Sequence, residues 1–151
     1  MTRASLVVAT ALVGLSAGLF AAFSYAVMPG LRRTDDATFV QSMRAINAAI
    51  LNPVFLLVFV GAGVAALAAA ILGWHTDARP WLVAGVILYA VGAFVVTGAV
   101  NVPLNDALET GTGAAAQLRD AFEDRWVVFN HLRSVLTTAA FVCLLVGLSQ
   151  L

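Results

Sequence analysis

The chain has no lysine, one cysteine and two histidines, and only 11% of its 151 residues are charged. Each shortage excludes a class. Cys143, standing alone, closes no intrachain disulfide and builds no thiolate metal site. Eight arginines balance eight acidic residues, so there is no electrostatic footprint for nucleic acid and no polybasic membrane patch. An ordinary soluble domain carries about 25% charged residues. Here 62% of the residues are hydrophobic, which rules out disorder and leaves too much apolar surface for a water-soluble globule of this length. Glycine-rich nucleotide loops, a Gly-x-Ser-x-Gly elbow and redox cysteine pairs are all missing. The length allows one domain, residues 1–151.

What is present is a set of long uncharged runs. Residues 4–31, 45–76, 80–105 and 134–151 contain no Asp, Glu, Lys or Arg. A helix needs about 20 apolar residues to cross the hydrocarbon core of a bilayer. The runs therefore predict four transmembrane helices, at about 5–28, 53–74, 80–101 and 132–150. Barrel strands alternate polar and apolar positions, whereas Phe55–Val60 and Val64–Leu72 are apolar throughout. The first run continues to Met28, beyond the short apolar core of a secretory leader, and reads as a span. The expected fold is all-α: an integral membrane four-helix bundle embedded in a lipid bilayer.

Four spans put residues 29–52 and 102–131 on one face and both ends of the chain on the other. Thirteen of the sixteen charges, including six of the eight arginines, fall on or beside the two long loops. The positive-inside rule then places those loops in the cytoplasm, and the lysine-free, alanine- and arginine-rich usage suggests a bacterial membrane. Both loops carry amphipathic helical segments. Thr34-Asp35-Asp36 supplies a cap for a helix with Phe39, Met43, Ile46 and Ile50 along one stripe. Leu118, Phe122, Trp126 and Phe129 mark a second segment, which leads into the last span. Small residues on spans 1 and 3, such as Gly14, Gly18, Gly85, Gly92 and Gly98, suit close helix contacts within one chain or between copies in a homo-oligomer.

All five asparagines, Asn47, Asn52, Asn101, Asn105 and Asn130, lie at helix ends on the loop face. Trp126, Asn130, Arg133 and Thr137 share one face of the fourth span. Pro103 should kink or end the third span between Asn101 and Asn105. Tyr25 ends the first span at the same depth. Carboxamides bind carbonyl and hydroxyl oxygens, Arg133 suits an anion, and His131 is a side chain able to take a proton near neutral pH. These groups would converge on a pocket for a flat organic ligand. The competing reading is structural: capping asparagines and polar contacts between helices. One histidine with Asp106, Glu109, Glu123 and Asp124 has no metal-ligand spacing, and His75 lies on the far face from His131.

Several blocks together resemble the anthrone oxygenase family of small four-span membrane proteins. They are Phe23-Ser24-Tyr25-Ala26-Val27-Met28-Pro29-Gly30-Leu31, Met43-Arg44-Ala45-Ile46-Asn47, Asn52-Pro53-Val54-Phe55, Asn101-Val102-Pro103-Leu104-Asn105, and Trp126 with Asn130-His131-Leu132-Arg133. The resemblance implies oxidation of an anthrone, or a similar aromatic polyketide, to a quinone by dioxygen without metal or flavin. On that reading His131 is the base and Arg133 holds the oxyanion. Asn47, Asn52, Asn101, Asn105 and Asn130 bind substrate oxygens, and Trp126 and Tyr25 stack on its rings. The alternative is a non-enzymatic accessory or ligand-binding protein whose asparagines only hold the bundle together.

Overall fold

The computed structural model describes residues 2–151. Its elements are α1 (Thr2–Ala22), α2 (Met28–Leu31), α3 (Asp36–Ile50), α4 (Pro53–Leu72), α5 (Arg79–Tyr89), α6 (Val102–Thr110) and α7 (Ala115–Ser149), and among the described residues there is no strand. Three π-helical turns, Phe23–Val27, Ala90–Val95 and Thr97–Asn101, join shorter helices into longer ones. The result is four continuous helices long and apolar enough to span a membrane: Arg3–Leu31, Pro53–Leu72, Arg79–Thr110 and Ala115–Ser149. α1 packs against α4 and α7, and α5 packs against α7 and α4, which closes a four-membered bundle. α3 lies across α6 and α7 on the loop side.

Three of these helices, Arg3–Leu31, Arg79–Thr110 and Ala115–Ser149, outrun the membrane. At about 1.5 Å per residue the fourth is roughly 52 Å long, against about 30 Å of hydrocarbon. The excess lies on the loop side, where α3, α6 and the first turns of α7 form a helical cap. Of the two outcomes expected at Pro103, the third span does not end there and runs on to Thr110. Proline removes one donor and clashes with the carbonyl four residues back. The π turn Thr97–Asn101 lies just ahead of it and widens the helix, with the Val102 N–H bonded to the Thr97 carbonyl. Phe23–Val27 stands in the same relation to Pro29, with the Met28 N–H on the Phe23 carbonyl.

The interior has two apolar clusters. One, inside the membrane bundle, includes Leu6, Val13, Ala62, Ala66, Leu82, Tyr89, Ala140 and Leu144. Alanine and glycine bring these helices close: a Cβ at Gly92 would stand 2.7 Å from the Leu136 Cβ, and one at Gly85 2.8 Å from Leu144. Gly14 likewise meets Phe141, whereas Gly18 and Gly98 face open space. Tyr89 donates to the Phe59 carbonyl (2.8 Å) and accepts from the Ser16 hydroxyl (2.9 Å), tying three helices together. The second cluster, in the cap, gathers Phe23, Met28, Phe39, Met43, Leu108, Phe122 and Trp126.

The cap is clamped by charge. Asp35 caps α3, accepting from the Thr38 amide (3.0 Å) and hydroxyl (2.6 Å). Those bonds hold its carboxyl below the usual aspartate range. Arg119 binds Glu123 and Asp36 and also donates to the Thr34 and Arg32 carbonyls. Arg32 reaches Glu123 and Asp124. Arg44 donates to the Leu108 and Gly111 carbonyls, which satisfies the open C-terminal end of α6. The arginines counted from sequence as topological signals therefore include several that hold the cap together.

Candidate active site

A polar layer separates the two clusters, and the π turns supply much of it. Ser24 lies in the first turn; Thr97 and Asn101 lie in the third. The fourth span contributes Asn130, Arg133, Ser134 and Thr137, all buried. Their spacing of three or four residues puts them on the face of α7 that meets the other helices.

Arg133 is the centre of this layer. It is 7% exposed, and among the described residues no carboxylate pairs with it. Its Nε donates to Asn130 Oδ1 (2.8 Å) and its Nη1 to Thr97 Oγ1 (3.3 Å). The guanidinium lies over the ring of Phe20 at 4.3 Å and of Trp126 at 5.0 Å. A guanidinium inside a membrane helix costs about 2.5–3.5 kcal/mol on insertion scales. Two desolvated cation–π contacts of about 2 kcal/mol each offset that. The charge is thus held by aromatic faces and neutral acceptors, and Nη2 bonds no described residue.

From Arg133 a chain of hydrogen bonds runs outward. Asn130, with its oxygen occupied by Arg133, donates from Nδ2 to the Phe20 carbonyl (3.2 Å) and to Ser24 Oγ (2.8 Å). Ser134 donates to the Asn130 carbonyl (2.7 Å), so the 2.9 Å contact between the two serines is one in which Ser24 donates. The cation polarises the amide, and the amide polarises the Ser24 hydroxyl, each bond strengthening the next. Ser24 is only half-buried. It lines a cavity of about 150 Å³ together with Met28, Pro29, Arg32, Glu123, Val127 and His131. His131 is exposed there, with Nδ1 2.9 Å from the Val127 carbonyl. A carbonyl only accepts, so Nδ1 carries the proton and Nε2 keeps a lone pair.

The residues singled out from sequence divide into groups. Asn130 and Arg133 sit together in the polar layer. Asn101 is buried at its edge, with Nδ2 3.5 Å from the Trp126 carbonyl and Oδ1 unpartnered. Asn47 on α3 has a buried, unpartnered Nδ2. Asn105 accepts from Trp126 Nε1 (2.8 Å) on the cap side. Asn52 is exposed and caps α4, accepting from the Phe55 amide (3.0 Å). Trp126 is 2% exposed and packed among Phe23, Phe122 and Arg133, which leaves its ring no open face for a ligand. Tyr25 is 73% exposed on the outside of the bundle. Ser24 and Ser134 were not singled out. The signal for Ser134 was its place four residues after Asn130; nothing in the sequence pairs it with Ser24.

A family model described as anthrone oxygenase matches residues 41–143. The chain belongs to the anthrone oxygenase family. The match begins inside α3 and ends in the fourth span, so it takes in every asparagine, His131 and Arg133. No curated protein and no solved structure matches the chain. Among the described residues no three His, Cys, Asp or Glu side chains converge on a point where a metal could bind.

Proposed function

We propose that this anthrone oxygenase family member oxidises an anthrone, or a similar small aromatic with an acidic methylene, to the quinone using dioxygen and no cofactor. The observation that carries the reading is that His131 and Ser24 line one cavity, and that Ser24 belongs to the hydrogen-bond chain from a buried Arg133 that no described carboxylate pairs. His131 Nε2 takes a proton from the methylene carbon para to the carbonyl. Ser24, backed by Asn130 and Arg133, turns its one proton from Ser134 to the oxygen that gains charge as the ring system enolises. The enolate passes one electron to dioxygen, the two radicals combine to a peroxide anion at that carbon, and the protonated His131 turns it into the hydroperoxide. His131 then takes the remaining hydrogen of that carbon as the O–O bond breaks and passes it to the departing hydroxide, which leaves the second carbonyl and water. One oxygen atom ends in the quinone and the other in water.

The test is oxidation of 1,8-dihydroxyanthrone by membranes containing the chain, followed by quinone absorbance and corrected for spontaneous oxidation in empty membranes. His131→Gln should lower the corrected rate by about 10²-fold or more, as loss of a general base does. Undiminished turnover removes His131 from the mechanism.

A second reading, a ligand-binding or accessory membrane protein, is favoured by one observation: every polar atom of the Asn130 amide is already bonded inside the protein. A wild-type rate equal to that of empty membranes leaves this reading standing. The cytoplasmic placement of the loop side rests on the arginine distribution alone, and reporter fusions at the C-terminus test it.

A further inference from the structure

Next to the His131 cavity, one turn deeper along the seam between α1 and α7, lies a larger opening of about 560 Å³. Ala21, Ser24, Tyr25, Ser134, Thr138 and Ala139 are among its walls, and Ser24 belongs to both cavities. Its volume falls within the range of about 300–1,000 Å³ usual for small-molecule sites. Small side chains on both helices leave the gap. Its outer rim is exposed, with Tyr25 73% and Val135 67% accessible, so it opens sideways toward lipid and not toward water.

The groove is not simply a furrow for acyl chains. Hydroxyls inside a bilayer normally bond back to a carbonyl on their own helix. Thr10, Ser134 and Thr137 do so, to Leu6, Asn130 and Arg133. Thr138, which lines the groove, has no hydrogen-bond partner among the described residues, and neither does the Tyr25 hydroxyl. Ser24 and Ser134 add two more hydroxyls, so an otherwise apolar slot presents oxygen atoms to whatever fills it.

We propose that this groove is the bilayer-side binding slot for the ring system of the substrate. The occupant is a flat, membrane-dissolved aromatic with hydroxyl or carbonyl oxygens at its edge, an identity that rests on the oxidation reading above. It enters between α1 and α7 from the lipid. Its rings lie against Ala21 and Ala139, an edge oxygen meets Thr138, and its reacting end reaches past Ser24 to His131. The bilayer then acts as the reservoir that concentrates the substrate.

The test uses the full chain in lipid nanodiscs and 1,8-dihydroxyanthraquinone, which is not turned over, with turnover of 1,8-dihydroxyanthrone measured on the same samples. Ala139→Trp fills the slot and should weaken quinone binding at least tenfold. Thr138→Val keeps the shape and should weaken it about fivefold, the loss of one ordinary hydrogen bond. If the tryptophan variant fails to fold, the valine variant decides. Wild-type binding no stronger than partition into empty nanodiscs, or affinities unchanged in a folded variant, overturns the slot. Binding weakened as expected, with wild-type turnover at the spontaneous rate, sustains the slot and removes the oxidation reading. Turnover above background that the variants leave untouched does the reverse.

Discussion

On the side of the chain ends, the helices meet through alanine and glycine, with one polar knot at Tyr89. On the loop side they meet through phenylalanine, tryptophan and methionine, held by arginine ion pairs and carbonyl clamps. The core of the membrane half is satisfied: Gly85 and Gly92 meet their neighbours with no space for a side chain, and Tyr89 has both of its bonds. The junction with the cap is not. There, among the described residues, a cation lies buried without an anion, Asn101 Oδ1 and Asn47 Nδ2 lack partners, and π turns replace regular helix. Buried groups of this kind cost stability unless paired. Departures from local rules mark functional sites more often than defects, and π turns in particular gather at such sites.

The sharpest way to break this contrast is to remove the polar centre of each half. Arg133→Met keeps bulk between Phe20 and Trp126 but withdraws the charge behind Asn130 and Ser24. Loss of a charge-stabilising donor lowers turnover by about 10²–10³-fold, and that is the fall expected in corrected quinone formation. Tyr89→Phe leaves the Phe59 carbonyl without its donor and the Ser16 hydroxyl without its acceptor. It should lower stability by about 1–2 kcal/mol while leaving turnover within about twofold. Equal activity losses in the two variants would mean that the halves are not functionally distinct.

A smaller effect tests whether the membrane half is as rigid as its contacts imply. At Gly92 an added Cβ meets the Leu136 Cβ and the Thr137 backbone nitrogen, neither of which is the movable tip of a side chain. Gly92→Ala should therefore force α7 away and cost about 1–3 kcal/mol, read from thermal or denaturant unfolding in detergent. Gly98→Ala, where nothing lies within 4 Å, should be neutral or mildly stabilising. If both substitutions behave alike, close packing is not what holds this half.

Much of the helix pattern was legible from where charge is absent, because an uncharged run long enough to span a bilayer has few other uses. The Asp35 cap and the apolar stripe of α3 were legible for a local reason: both are set by residues within a turn or two. The passage through Pro103 was not. Proline's clash is local, but its relief by a π turn depends on what the widened turn packs against. The site was legible in composition only. Asn52, Asn105 and Asn130 look alike in sequence, and they differ because Phe55, Trp126 and Arg133 happen to be their partners in space. Ser24 meets Asn130 and Ser134 across more than a hundred residues, a pairing that no spacing rule reaches.

Two helix caps give the smallest effects and separate capping from binding among those polar residues. Asn52→Ala removes the acceptor for the Phe55 amide at the exposed start of α4. It should cost about 1 kcal/mol, typical of a lost N-cap, with turnover unchanged; a fall in turnover would return Asn52 to the site. Asp35 caps α3 in the same way but through a charge. Its carboxyl is held below the ordinary aspartate value of about 3.9 by the Thr38 hydroxyl first and the Thr38 amide second. A group whose pKa falls on folding contributes its full stabilisation above the unfolded value and loses it as pH drops through the folded one. Amides at the start of α3 should therefore exchange faster as the pH is taken below about 4, after allowance for the intrinsic rate. Those at the start of α4, capped by a neutral amide, should not change. Parallel acid loosening of both helices would show that the cap opens as one body, with Asp35 incidental to it.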